Sequence, residues 1–397
     1  MKILHHDFGR HAFPVQLSRA LAARGHSVLH LYAGSNNTPM GNLNTEPGDP
    51  PGFECRAIDT GREYRKYAYI QRWRQERAYA ARLAQTIRAW QPDVVLECTG
   101  PTDGHRAALT ASKQAGARYV YWLQDVNGVA AYNLLKKKVP VLGAAVGRYY
   151  INMERAVVRG SDNVVLISED FAPIINGWGI PPEKCEVIPN WAPVEHLPVR
   201  GRVNEWGRAH GLADGFSFMY TGSLGLKHNP GLFVELARQL AGDPRVRIVV
   251  LSEGLGADWL RQAVGSENLN NLTVMGYASF EELPDVLASA DVLVSVLQPD
   301  AGVFSVPSKV NTYLCAGRPL LLAVPAENLA ARLVTGAGAG LAVAPSDVNG
   351  FVEAAKQLLA SEELRSTCGR NARAYAESHF NIEHITDTFE RILRGDK

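Results

Sequence analysis

The chain has 397 residues, 46% of them hydrophobic and 20% charged, with 41 Lys plus Arg against 40 Asp plus Glu. That length predicts two or three domains at roughly 100–200 residues each, and the composition argues against wholesale disorder. The near-zero net charge speaks against a dedicated nucleic-acid binder. The five cysteines are scattered and never form a CxxC pair, which points away from a disulfide framework or zinc site and toward a reducing compartment.

The N-terminal run MKILHHDFG lacks the apolar core of a signal peptide. No stretch of about eighteen or more apolar residues follows, so a cytoplasmic protein without a spanning helix is expected. Residues 3–6 read as a strand, 14–24 as a helix with Pro14 in its first turn, and 28–32 as a second strand. Residues 34–52, rich in Asn, Pro and Gly, read as a long loop. A helix over 67–90, a strand over 94–97, a helix over 102–116 and a strand over 119–123 come next. A long helical region over 132–159 is predicted to break, because it contains Pro140 and two glycines. Short strands at 164–167 and 187–188 close the first half. The stretch 191–204 interrupts the rhythm with Pro193, Pro198 and Gly201 and reads as a linker. Six further strand candidates follow, at 218–220, 247–251, 272–275, 292–297, 320–324 and 341–343, and residues 362–393 read as a helical tail. Strands alternating with helices predict parallel sheets covered on both faces.

Ligands of open parallel sheets bind beyond the carboxyl ends of strands, where helix N-termini point outward. The strand-to-helix junctions are therefore the places to look for chemistry. After the first strand, Asp7 and Gly9 lie in a loop where glycine permits close backbone approach to a ligand; an ordinary surface loop explains the same residues. Asp125, in Trp122–Gly128, is placed to act on an acceptor hydroxyl, or equally to cap a helix. In Tyr220–Pro230, Gly222, Ser223 and Lys227 combine backbone donors, a helix start and a point charge suited to a diphosphate. Gly254 and Tyr277 follow two more strands. Beside Tyr277, Ser279 and Glu282 have capping-box spacing. Ser308 and Lys309 open a helix that carries Thr312 and ends near Gly317, a second plausible anion cradle, or simply a capped helix with a solvated lysine.

Taken in order, these stretches resemble the family 4 glycosyltransferases of bacterial surface-polysaccharide assembly, especially the O-antigen and colanic-acid branch. The carrying residues are Leu17–Val28, Val187–Trp191, Tyr220–Gly225 and Val306–Lys309 with Tyr313–Pro319. The resemblance implies the GT-B fold: two Rossmann-like α/β domains facing across a cleft, with a C-terminal helix crossing back to the first. It implies an acceptor domain over 1–192, a nucleotide-sugar domain over 204–375, and the returning helix over 376–397. Lys227 and the Ser308–Lys309 helix start would hold the donor diphosphate, with Gly254 and Tyr277 along the nucleoside. Two departures stand out. The family's spaced pair of glutamates is replaced by Phe304 and Thr312, and the basic residue after the glycine of the first donor loop is replaced by Ser223. Asp300 is a candidate substitute for a lost carboxylate.

The expected activity is a hexosyltransferase-type reaction on a nucleoside-diphosphate sugar, with retention of anomeric configuration. Lys227 and Lys309 would stabilise the leaving diphosphate without metal or cofactor. Asp125 and the Asp7–Gly9 loop are assigned to the acceptor, a glycan or a polyprenyl-diphosphate-linked glycan. Lys136–Lys138 among Leu134, Leu135, Val139, Val141 and Leu142, and Arg62–Arg77 with interleaved aromatics, are expected to suit the inner face of an anionic membrane; a solvated basic face explains them as well. No nucleic-acid partner is expected. A nucleotide-sugar epimerase of the same architecture and a non-catalytic nucleotide-sugar-binding subunit are the competing readings.

Overall fold

Short apolar runs in the N-terminal half pair side by side into one parallel sheet, and those of the C-terminal half into another. The structure, a computed structural model, describes residues 1–35, 41, 43–61, 64, 68–225, 228–299 and 306–396. It divides into a unit of residues 1–190 with 382–397 and a unit of residues 191–381.

The first unit runs β1 (Lys2–Asp7), α1 (Ala12–Ala23), β2 (Ser27–Ala33), β3 (Phe53–Ile58), α2 (Tyr69–Trp90), β4 (Val94–Glu97), α3 (Thr102–Gln114), β5 (Arg118–Leu123), α4 (Asn127–Lys138), α5 (Pro140–Gly160), β6 (Asn163–Leu166), α6 (Ala172–Gly177) and β7 (Cys185–Val187). Among the described residues the strands lie in the order β3-β2-β1-β4-β5-β6-β7. The order reverses between β1 and β4, whose register pairs Ile3 with Val94 and His6 with Glu97. β1, β4 and β5 are buried almost throughout, as a sheet covered on both faces requires.

The second unit runs α7 (Glu205–Ala209), β8 (Phe216–Thr221), α8 (Gly231–Leu240), β9 (Val246–Leu251), α9 (Leu255–Glu267), β10 (Leu272–Met275), α10 (Leu283–Ala288), β11 (Val292–Val296), α11 (Lys309–Cys315), β12 (Leu320–Ala323), α12 (Leu329–Gly336), β13 (Gly340–Val343), α13 (Val348–Ala360) and α14 (Glu362–His379). Its sheet order is β10-β9-β8-β11-β12-β13, reversing between β8 and β11. One core of Phe218, Phe233, Ile248, Val294, Phe351 and their neighbours fills the space between sheet and helices. Arg202 fastens the start of this unit by a two-point ion pair to Asp291, at 2.7 and 2.8 Å.

The chain then returns to the first unit as α15 (Ile382–Arg394). Phe389 of α15 is fully buried and packs on Trp122 at 4.7 Å between ring centroids.

Three elements differ from the sequence reading. β3 was not expected, because its alternating polar residues mark a half-exposed edge strand rather than an apolar run. The region expected as a helix from Tyr132 starts at Asn127 and breaks at Val139, ahead of Pro140 as predicted. The tail expected over 362–393 is two helices, α14 and α15, parted at Phe380–Asn381.

Candidate active site

In the first unit the carboxyl ends of β1 and β4 meet at the reversal point. Asp7 ends β1 and is fully buried. Its carboxylate accepts the backbone N–H of His11 at 2.6 Å, that of Gly9 at 3.2 Å, the His11 Nδ1–H at 3.2 Å, and the Thr99 hydroxyl. Burial alone would raise its pKa. The His11 charge and the donors of His11 and Thr99 outweigh that and hold Asp7 well below the usual carboxylate range.

Asp7 therefore lies under the loop rather than on its face, which is a correction to its expected contact with acceptor. Gly9 is corrected likewise. Its N–H is taken by Thr99 Oγ1 at 2.7 Å, so what glycine supplies is space. A Cβ there would stand 1.9 Å from His11 Cε1 and 2.9 Å from Thr99 Oγ1. His11 itself was missed by sequence reasoning. The signal was available as an Asp and a His four residues apart around a glycine, directly after a strand.

Below this loop lies a second buried network. His6 and His105 both donate through Nδ1 to Glu97 Oε1, at 2.8 and 2.9 Å, and His6 Nε2 meets the Tyr79 hydroxyl at 2.7 Å. Burial raises the Glu97 pKa, and His6 and His105 more than reverse it. On the other face of β1, Ser18 bridges His5 and His30 at 2.8 and 2.9 Å. Burial lowers the His30 pKa to about 4, so these two rings pack as neutral groups.

At the end of β5, Asp125 is exposed, and Gln124 exchanges amide hydrogen bonds with Asn190 at 2.6 and 3.2 Å. α4 is capped by Glu154, buried on α5, which accepts the N–H groups of Asn127 and Gly128, both at 2.9 Å. Burial raises the Glu154 pKa to about 7; the two N–H donors oppose the shift and Asp125 adds to it. The folded state thus keeps a proton that the unfolded chain releases above about 4.5. Stability from this group is greatest at low pH and is lost as pH rises toward 7. Between pH 5 and pH 8 the first unit is expected to lose on the order of 2–3 kcal/mol through this group. Thermal unfolding of Glu154→Gln should show a flatter pH slope; the same slope as the parent would remove Glu154 as its source.

In the second unit the corresponding edge lies at the reversal between β8 and β11. Lys309, the first residue of α11, places its Nζ 3.5 Å from the Tyr220 ring centroid. A Cβ on Gly222 would stand 3.5 Å from both Lys309 Cε and Nζ. Gly222 also has φ +102, a conformation that side chains disfavour. Its N–H donates to Leu251 O at 3.0 Å, so the expectation that it offers an N–H to phosphate is corrected: it offers close approach.

The loop after Gly222 is held from four sides. The Tyr220 hydroxyl donates to Ser223 O at 2.7 Å, Ser223 Oγ meets the Tyr277 hydroxyl at 3.0 Å, the Gly225 N–H donates to His228 Nδ1 at 3.0 Å, and the Gly256 N–H donates to Leu224 O at 3.1 Å. The Tyr313 hydroxyl takes the Thr221 N–H at 2.8 Å. Such a fixed loop is the preorganised kind that electrostatic stabilisation requires.

Ser308 precedes α11 but its hydroxyl makes no capping bond and is exposed. The next two N–H groups are spent within the turn, Val310 on Pro307 O and Asn311 on Ser308 O. The helix start therefore exposes the Ser308 hydroxyl and holds the Lys309 ammonium shielded against the Tyr220 ring, rather than offering the row of N–H groups expected of it. Thr312 is half-buried one turn on. Gly254 stands exposed at the start of α9, and Tyr277 is half-buried beside Ser223. The capping box is present as read, with Ser279 N–H to Glu282 at 3.0 Å and its reciprocal at 3.2 Å. Lys227, Asp300 and Phe304 lie outside the described residues. Among the described residues no three His, Cys, Asp or Glu side chains gather as a metal-ligand set, and no helix is long and apolar enough to cross a membrane.

Two doubly wound parallel sheets in one chain, with the last helix joined to the first unit, define the GT-B architecture. Known structures share it. Anabaena Alr3699/HepE in complex with UDP-glucose superposes with a TM-score of 0.72 at 15% identity, over 100% of both chains. The sucrose-phosphate synthase of Thermosynechococcus elongatus gives 0.72 at 17% identity, over 100% of this chain and 99% of its own. WaaG, a glycosyltransferase involved in lipopolysaccharide biosynthesis, gives 0.67 at 16%, over 97% and 99%. No curated protein matches the chain in sequence. Residues 9–191 match the glycosyl transferase 4-like domain, and residues 215–361 match the glycosyl transferases group 1. The chain is a GT-B glycosyltransferase built from these two domains.

Proposed function

We propose that this glycosyltransferase moves a hexosyl group from a nucleoside-diphosphate sugar to a glycan or polyprenyl-diphosphate-linked acceptor, with retention, in surface-polysaccharide synthesis. The observation that carries the reading is the Lys309 ammonium held beside Gly222 at the β8–β11 reversal. A cation fixed where backbone can approach closely suits a diphosphate leaving group. Lys227 and the Ser308 hydroxyl are its proposed companions, with Gly254, Tyr277 and Thr312 along the rest of the donor, and we assign the charge stabilisation to these groups rather than to a metal. Asp125 is the proposed polar group of the acceptor side at the end of β5. HepE with bound UDP-glucose makes uridine-diphosphate sugars the first donors to test. The pathway rests on the family resemblance and on the likeness to WaaG.

The test is a panel of nucleotide sugars without acceptor, read by thermal stability and nucleotide release. One donor should raise the unfolding temperature and be slowly hydrolysed. No stabilisation by any donor or nucleoside diphosphate would overturn the reading; stabilisation without turnover would favour a binding subunit.

We further propose contact with the cytoplasmic face of a membrane through the α4–α5 turn. Val141 and Leu142 there are 88% and 66% exposed, beside Lys136 and Lys137. Apolar side chains flanked by cations suit an anionic bilayer surface. Replacing both Val141 and Leu142 by Asp should weaken sedimentation with vesicles containing anionic phospholipid by at least about tenfold. Undiminished sedimentation would discard this surface. Of the other basic stretch, Arg62, Arg65 and Lys66 lie outside the described residues; Arg72 pairs with the buried Glu76 at 2.7 Å, and Arg77 lies over Trp73 on the exposed face of α2.

A further inference from the structure

The amino ends of β11 and β12 gather a second set of charged groups, at the edge of the sheet opposite to Lys309. A cavity of about 560 Å³ opens there, within the second unit. One wall is the turn Gly317-Arg318-Pro319 that leads from α11 into β12. The other is one face of α14, which brings Glu362, Arg365, Ser366, Arg370 and Arg373 to the cavity at helical spacing. The walls meet at Gly369, where a Cβ would stand 2.5 Å from Gly317 O.

Some charges around this cavity are matched within the fold. Asp291 is taken by Arg202 through two contacts, and Glu377 by Arg373 at 2.6 Å. Three guanidiniums meet only uncharged oxygens. Arg318 gives Nη2 to Arg200 O at 3.1 Å and Ala288 O at 2.8 Å. Arg365 gives Nη1 to Leu358 O at 2.7 Å and Leu359 O at 3.0 Å, at the end of α13. Arg370 donates to the Thr367 hydroxyl at 3.1 Å. Among the described residues none of the three forms an ion pair. Arg318 is the costliest of them. Its Nε is shut away from solvent with no hydrogen-bond partner, and burial lowers its pKa against the opposing charge of Asp291. A desolvated cation without a counter-charge costs free energy that a bound anion would offset. Holding the turn accounts for Arg318 Nη2, and capping α13 accounts for Arg365 Nη1; neither accounts for three cations on one cavity.

The unmatched groups define the ligand. Three guanidiniums stand against one carboxylate, Glu362, so a ligand with about two negative charges completes the site. A phosphate monoester carries about that charge near neutral pH, and guanidiniums suit its oxygens. A lone phosphate would leave most of the space unfilled, since roughly 300–1,000 Å³ accommodates a whole small molecule. The Glu362 carboxylate, which only accepts, and the Ser366 hydroxyl are suited to hydroxyl groups on the rest of that molecule.

We propose that this cavity binds a phosphate monoester of a small polyhydroxylated molecule, a sugar phosphate in class, with Arg318, Arg365 and Arg370 toward the phosphate and Glu362 and Ser366 toward the hydroxyls. The site is separate from Lys309, which stands at the other end of α11, and it does not depend on the transferase reading.

The test titrates the full chain with the 6-phosphates of glucose, mannose and fructose, and with glucose, glucuronate and inorganic phosphate, followed by calorimetry and nitrogen-15 shifts. One hexose phosphate should bind at least about tenfold more tightly than glucose, glucuronate or inorganic phosphate. Inorganic phosphate binding as tightly overturns the sugar-phosphate assignment, and no saturable binding of any phosphate overturns the site. Arg370→Glu, at an exposed position bonded only to Thr367, should weaken the hexose phosphate by at least about tenfold with an unchanged melt. Lys309→Ala should leave its affinity within about twofold, as expected of a site that does not share the residue. Loss in Lys309→Ala with none in Arg370→Glu would put the phosphate in the donor position and overturn the proposal.

Discussion

Lys309→Ala is expected to lose about 10²–10³-fold in glycosyl transfer, the usual effect of removing one preorganised group that meets developing charge. The expectation comes from where the ammonium is held. Its Nζ is shielded from solvent and lies 3.5 Å from the Tyr220 ring centroid, and Gly222 leaves open the approach beside it. Shielding from water raises the value of a charge to an anion. Departure of a diphosphate concentrates negative charge, so the loss should fall more on kcat than on donor affinity. Lys309→Arg should not restore the rate, because the broader guanidinium fork has to fit a place packed against the Tyr220 ring and so close to Gly222 that a Cβ there would stand 3.5 Å from the Lys309 Nζ. The fold should survive the alanine change. Tyr220 and Tyr313 stay buried with their hydroxyls on Ser223 O and Thr221, and the lost cation–ring contact is worth about 0.5–2 kcal/mol. Steady-state kinetics beside a thermal melt would check this; wild-type turnover in the variant would remove Lys309 from the site.

Strong periodicity made the architecture legible. Val94–Glu97 and Leu320–Ala323 stand where their apolar runs put them, because buried parallel strands are written as near-continuous apolar segments. β3 was hidden because an edge strand needs only one buried face, and Glu54 and Arg56 interrupt its run. At the sites, residue type was legible and direction was not. Asp7 and Gly9 were read as facing an acceptor, but nothing in the string HHDFGRH says that the carboxylate is buried and the imidazole of His11 is the half-exposed group. Gly222 was likewise read as an N–H donor although its N–H belongs to the sheet. Glu154 was invisible for another reason. It lies 26 residues from the Gly128 N–H that it caps, and only the α4–α5 hairpin brings the two together.

Phe389→Ala is expected to destabilise the first unit by about 3–5 kcal/mol, lowering its unfolding temperature by on the order of 10 °C. α15 is joined to this unit by two kinds of contact, and magnitudes decide between them. Arg24 makes ion pairs with Glu383, Asp387 and Glu390 at 2.9, 2.6 and 3.1 Å. Glu383 and Asp387 are 69% and 65% exposed, so solvent and salt screen those pairs to about 1 kcal/mol or less. Phe389 is fully buried against Trp122, with Thr386, Ile392 and Leu393 completing the buried face of the helix. Arg24→Ala should therefore move the melt by no more than a few degrees, and high salt should reproduce most of its effect, whereas Phe389→Ala should be salt-independent. The contact also bears on the acceptor side. Trp122 stacks at 6.0 Å on His5 of β1 and lies on β5 ahead of Gln124 and Asp125. A cavity behind Trp122 loosens the strands that carry the proposed acceptor side, so on the proposed assignment of donor to the second unit Phe389→Ala should raise the acceptor KM while donor affinity is kept. A variant that melts normally, or that loses donor affinity first, would show that the helix is not joined to the acceptor strands in this way.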